Sequence, residues 1–87
     1  MDNEKKQVSI KNLNELKHTE KGTIVSFNDK CDRELKRHLL GMGFVKGAEI
    51  RLEKIAPLGN PIEFRLKGYS ICLRENEAKK IKVGVLS

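Results

Sequence analysis

Tryptophan is absent from this chain, and proline and cysteine occur only twice each. No apolar run approaches the roughly 18–20 residues of a membrane-spanning helix, so any membrane role has to come through a partner. No apolar segment follows Met1; the opening Asp2-Asn3-Glu4-Lys5-Lys6-Gln7 is polar and charged. The expectation is therefore a cytosolic protein with Cys31 and Cys72 both reduced, since the two are in no Cys-x-x-Cys pair. The sequence also has no Gly-x-Gly-x-x-Gly, no phosphate loop, no His-Glu-x-x-His and no set of Ser, His and Asp suggesting a nucleophile relay. With 87 residues there is room for one domain, which buries only about 60–65% of the surface of its unfolded chain and cannot enclose a deep substrate cavity. These absences point away from catalysis and toward a binding protein that needs no cofactor.

What is present is a globular composition, 38% hydrophobic and 34% charged, far from the disordered corner. Residues 1–7 read as a disordered tail and 8–87 as the folded domain. Asn12 can cap a short turn that puts Leu13 and Leu16 on one face. Gly22 opens the β-branched run Thr23-Ile24-Val25-Ser26-Phe27, a strand. A single helix is expected over 32–40, capped by Asp32, with Leu35 and Leu39 on its buried stripe and Gly41 as its stop. Arg33 and Arg37 form a separate, outer stripe. Met42 and Phe44 read as core plugs, and Lys46-Gly47 as a turn.

The second half alternates strictly. Ile50 and Leu52, then Ile62, Phe64 and Leu66, then Tyr69, Ile71 and Leu73, then Ile81, Val83 and Val85 are each separated by a single residue. Period-2 patterns of this kind mean antiparallel strands with one buried face. Only Lys67-Gly68 separates two of them, which predicts a primed two-residue hairpin. Short strands have to deal with exposed edges, and curling into a barrel does so economically. The expected fold is mostly β: a small, closed, five-stranded SH3-like β-barrel with one short inserted α-helix.

The net charge of +6 comes from 18 basic residues interleaved with 12 acids. Only Lys79, Lys80 and Lys82 cluster, with no aromatic residue among them to stack a base, so stable nucleic-acid binding is not expected. Glu34 and His38, at i and i+4, read as a surface ion pair. Cys31, His38, His18 and Cys72 match no zinc spacing, and no metal site is expected. Three residues stand out as a partner-binding set. Leu58 is a large apolar side chain at the tip of a turn between two prolines, Arg37 offers a planar donor fork, and Asn60 shares the Leu58 loop.

In order and spacing, several strings resemble the FeoA family, ferrous iron transport protein A. They are Leu13-x-x-Leu16, Gly22-Thr23-Ile24, Arg37-x-Leu39-x-x-Met42-Gly43-Phe44-x-x-Gly47, Ala56-Pro57-Leu58-Gly59-Asn60-Pro61-Ile62 and Gly68-Tyr69-Ser70-Ile71-x-Leu73-Arg74-x-x-Glu77-Ala78. The likeness runs from about Val8 to Val85. It implies a cytosolic SH3-like barrel, without enzymatic activity, that associates with the cytosolic GTPase side of the ferrous iron permease in bacterial iron uptake. The family shares its barrel with the C-terminal domain of metal-dependent repressors of the diphtheria-toxin-repressor type, so the alternatives are a metal-responsive regulatory domain or a basic nucleic-acid-binding barrel. One departure is visible: where the family usually has Pro-Gly, this chain has His18-Thr19, and the turn there must form without glycine.

Overall fold

The computed structural model describes residues 7–86, so the expected tail over 1–7 falls, apart from Gln7, outside the described residues. The elements are β1 (Val8–Asn12), a 3-10 turn (Leu13–Glu15), β2 (Lys21–Phe27), α1 (Arg33–Gly41), β3 (Glu49–Ile55), β4 (Ile62–Leu66), β5 (Tyr69–Leu73), α2 (Glu75–Ala78) and β6 (Ile81–Leu86). All pairings are antiparallel, in the order β1-β6-β2-β3-β4-β5. The mostly-β, SH3-like reading holds, with two corrections. Among the described residues the sheet has six strands, and its outer strands β1 and β5 are not paired with each other, so hydrogen bonds do not close it.

The additional strand is β1. Its main chain pairs with β6, from Val8 opposite Leu86 to Asn12 opposite Lys82. Val8 and Ile10 lie on the outer face, where with Val25 they lean over Gly84; a Cβ added there would meet Val8 Cγ1 at 3.1 Å. The strand is held by edge pairing and contributes nothing to the buried face, so its short alternation carried little signal. Strands β3, β4 and β6 bury what their alternation predicts: Ile50 and Leu52, Ile62, Phe64 and Leu66, and Ile81, Val83 and Val85. In β5 only Leu73 is buried, while Ile71 is half-buried and Tyr69 is exposed at the edge of the sheet. Leu13 and Leu16 enter the same core from the 3-10 turn, and Leu39 and Phe44 enter it from the helix region. Register shifts in β2 between Ile24 and Ser26 and in β3 between Leu52 and Lys54 mark bulges, which bend a sheet and strengthen its twist.

Helix α1 begins as expected: Asp32 Oδ1 accepts from the Leu35 amide at 2.7 Å. Its stop is not Gly41, which is still helical, but Gly43 at φ +106°. The Gly43 amide donates to the Leu40 carbonyl at 3.0 Å and the Phe44 amide to the Leu39 carbonyl at 3.1 Å, the paired bonds of a Schellman cap. That cap turns the chain so that Phe44 drops into the core with no exposure.

The Lys67-Gly68 turn is of the primed kind, with φ of +53° and +92°. The His18-Thr19 turn forms as well: the Glu20 amide donates to the Lys17 carbonyl at 2.9 Å, and Thr19 sits at φ +64°. A β-branched residue is strained in that region, where a type II turn favours glycine. Glu20 reinforces the turn by accepting from the Lys17 amide at 2.8 Å and pairing with Lys11 Nζ at 3.4 Å. The Lys17 amide is the main cause that holds its carboxyl below the ordinary range, against a smaller opposing effect of burial. A lowered carboxylate stabilises the fold above its unfolded pKa, and this contribution disappears as pH falls through the lowered value.

The two left-handed turns give a prediction of opposite signs. Gly68→Val should destabilise the chain by about 1–2 kcal/mol, and Thr19→Gly should stabilise it by about 0.5–1 kcal/mol. Thermal or denaturant unfolding of the two variants measures both; a Thr19→Gly variant less stable than the parent would mean that Thr19 carries no strain.

Candidate functional site

No charged or polar side chain is buried among the described residues, so any chemistry this chain performs is presented at its surface. One concavity is a groove of about 430 Å³. Its walls come from segments distant in sequence: His38 from α1 and Met42 just after it, Asn60 and Pro61 from the loop after β3, Cys72 and Leu73 from β5, and Arg74 and Glu77 around α2. A hydrogen bond between segments frames it. The Glu75 amide donates to Asn60 Oδ1 at 2.6 Å, tying the loop to the first turn of α2. The loop is also stiffened internally, by the Gly59 amide on the Ala56 carbonyl at 2.8 Å and the Ala56 amide on the Pro61 carbonyl at 3.1 Å.

The three residues of the expected partner-binding set occupy different places. Asn60 lines the groove, and its side-chain oxygen closes no turn of its own, being committed to Glu75. Leu58 stands on the same loop with 96% of its surface exposed, the most exposed of the large apolar side chains. Arg37 is exposed on the side of α1 opposite the buried Leu39 and does not line the groove. Among the described residues no carboxylate pairs with Arg33 or Arg37, whereas Arg51 and Arg65 both reach Glu53, at 2.9 and 3.7 Å. Lys36 is on a third side of the helix, with Nζ 5.8 Å from the Phe27 ring centroid. The expected Glu34–His38 pair is not formed; His38 turns toward the groove instead.

The sequence was read with His38 as an ion-pair partner of Glu34 and, like Cys72, as a metal ligand to be weighed, and that reading missed that the two line one groove with Met42 and Glu77. No spacing rule brings residue 38 beside residue 72; the pairing of β4 with β5 and the packing of α1 do so. Among the described residues no three His, Cys, Asp or Glu side chains are grouped so as to hold a metal ion. Cys31 is a poor ligand and nucleophile for a further reason. Partial burial against the core, helped by the neighbouring Asp32 charge, raises its thiol pKa above the ordinary value. Both cysteines are free, and no helix among the described residues is long and apolar enough to cross a membrane.

Comparisons with known proteins agree on the frame that carries this groove. The family model of the FeoA domain matches residues 11–85. A putative Fe(2+) transport protein A of Campylobacter jejuni is 35% identical over 74 residues, which cover 85% of this chain and 97% of that protein. A Fe(2+) transport protein A/Fe(2+) transporter FeoB fusion protein of Porphyromonas gingivalis is 38% identical over 52 residues; they cover 60% of this chain but only 6% of the fusion protein's length. Among solved structures, the FeoA-like protein of Clostridium acetobutylicum superposes with a TM-score of 0.78 at 40% identity, covering 90% of this chain and 88% of its own. The zinc complex of Stenotrophomonas maltophilia FeoA, described as a procaryotic SH3 domain protein, has a TM-score of 0.70 at 29% identity, covering 87% of this chain and 88% of its own. A manganese-dependent transcriptional repressor reaches 0.79 at 18% identity over 92% of this chain and 44% of its own, a likeness of fold alone. With its family model matched over nearly the whole domain and a relative of almost equal length above 30% identity, this chain belongs to the FeoA domain family.

Proposed function

We propose that this chain is a non-enzymatic, cytosolic accessory protein of ferrous iron transport that binds and modulates the cytosolic GTPase domain of the membrane iron permease. One observation carries the reading: a relative joins an Fe(2+) transport protein A to the transporter FeoB in a single polypeptide. Covalent linkage raises the effective concentration of one module at another to roughly millimolar. That gain is useful only where the two modules act at the same place.

The partner surface proposed here is the outer stripe of α1 together with the 57–61 loop, with Arg37, Leu58 and Asn60 as its contact residues. Leu58 presents apolar area on a stiff, proline-flanked loop, so docking it sacrifices little conformational entropy. Arg37 has an unpaired guanidinium suited to a carboxylate of the partner. Asn60 has its oxygen engaged at Glu75 and keeps its side-chain nitrogen for the partner. The test is the double variant Leu58→Ser with Arg37→Glu, measured for folding and for binding to the transporter's cytosolic domain. Stability should stay within about 0.5–1 kcal/mol of the parent, and binding should weaken at least about tenfold, or ~1.4 kcal/mol. A variant that folds and binds like the parent puts the contact surface elsewhere.

The zinc complex of a relative favours a second reading, a metal-responsive regulatory domain. Ferrous iron is the cargo of the transport reading and needs no resident site on this chain. Calorimetry with zinc or ferrous iron is expected to show no stoichiometric site tighter than about 10 µM, because fewer than three grouped ligands give a weak site. Nanomolar one-to-one binding that is abolished by His38→Ala would promote the regulatory reading.

A further inference from the structure

Strand β1 is an edge, with β6 on one side and, among the described residues, no strand on the other. The direction of its main-chain groups follows from its neighbours. The Ile24 amide donates to the Ala48 carbonyl at 2.9 Å and the Ile24 carbonyl accepts from the Gly47 amide at 2.8 Å, so Ile24 bonds away from β6. Its partner Val83 therefore turns away from β2 and toward Lys11 of β1. Bonding direction alternates along an antiparallel pair, so Ser9 and Lys11 face β6 while Val8, Ile10 and Asn12 face outward. The Asn12 amide agrees, since it donates to Glu15 Oε1 at 2.8 Å. The outward amides and carbonyls of Val8 and Ile10 have no such partner among the described residues.

The same edge carries an apolar strip. Val8, Ile10 and Leu86 are 61%, 55% and 62% exposed, and the register puts Leu86 beside Val8 on the outer face. Gly84 leaves the room into which Val8, Ile10 and Val25 lean. Farther from the edge the outer face turns polar, with Thr23 opposite Gly84 and Lys21 paired with Glu49 at 3.3 Å. Edge strands are ordinarily blunted by charge, proline or a bulge. Strand β1 has no proline and no register shift, and its single charge, Lys11, lies on the inner face, paired with Glu20 at 3.4 Å.

Such a strand is complementary to itself. With Ser9 centred on Ser9 of a second copy, Val8 falls opposite Ile10 and Ile10 opposite Val8, as hydrogen-bonded pairs. The outward amides and carbonyls of both residues are then satisfied in each copy. Their aliphatic side chains join in one strip, and Lys11 comes opposite Gln7, so no two like charges meet. An acidic or basic partner finds no unpaired charge on β1 to recognise, whereas a neutral strand matches its own antiparallel copy. We propose that β1 pairs with β1 of a second copy about a two-fold axis at Ser9, which joins the two sheets into one and removes that edge. Arg37, Leu58 and Asn60 take no part in this junction, so it stands apart from the transport reading.

The full chain, followed by analytical ultracentrifugation from about 10 µM to about 1 mM, the range of a weak association, should pass from monomer to dimer. Ile10→Lys places on the edge the charge that guards other edge strands and should weaken dimerisation at least tenfold. Ile55→Lys, at a comparably exposed aliphatic residue of β3, should leave it unchanged. In the unmodified chain, which needs no variant to fold, hydrogen exchange at the Val8 and Ile10 amides should slow at least threefold across that concentration range. A chain that stays monomeric, or that dimerises with exchange at those two amides unaltered, overturns the proposal. So does an Ile10→Lys variant that folds and dimerises like the parent, and so does equal weakening by Ile55→Lys, which would mark non-specific apolar contact.

Discussion

Among the described residues the core is built from apolar side chains alone, and this is the constraint on which the rest of the structure depends. Phe44, Phe64, Leu13, Ile24, Leu39, Ile50, Leu66, Ile81 and Val83 are all but fully buried, and no charged or polar residue accompanies them. A domain of 87 residues has little surplus stability with which to desolvate an ionisable group. Its titratable groups therefore stay at the surface, and the one clear upward shift among the described residues belongs to Cys31, where the chain meets the core. Such a molecule acts by presenting a surface.

That surface is organised by a few contacts between elements. The Schellman cap at Gly43 brings Phe44 under the sheet and fixes how α1 leaves the core. The bond from the Glu75 amide to Asn60 binds the 57–61 loop to the segment that follows β5. The groove lies between these two fixtures, and Leu58 stands on the same loop as its lining residue Asn60, a loop with its own internal bonds. An apolar side chain 96% exposed costs water ordering in the free protein, which docking would relieve.

Most of the sheet was legible because alternation reports burial directly: Ile62, Phe64 and Leu66 could only face one way. The Lys67-Gly68 hairpin followed from its length and its glycine. Strand β1 was not legible as part of the fold, since Val8 and Ile10 lie on the outer face and the strand depends on β6 for its bonds. The stop of α1 was misplaced by two residues because Gly41 and Gly43 are equally good candidates in sequence, and only the bonds to Leu39 and Leu40 separate them. Helix α2 is too short for periodicity and is held from outside by Asn60. The groove was hidden for the same reason: its residues span positions 38 to 77, and tertiary packing alone brings them together.

The surface proposed for the iron transporter is built from the outer stripe of α1 and the 57–61 loop, with Arg37, Leu58 and Asn60 as its contact residues. An amide-resolved titration of isotope-labelled chain with the transporter's cytosolic GTPase domain tests this most directly. Saturable shifts are expected to concentrate in residues 33–42 and 57–61, with the outer face formed by Val8, Ile10 and Leu86 unmoved. Shifts centred on that outer face, or a spectrum unchanged by the domain, would contradict it.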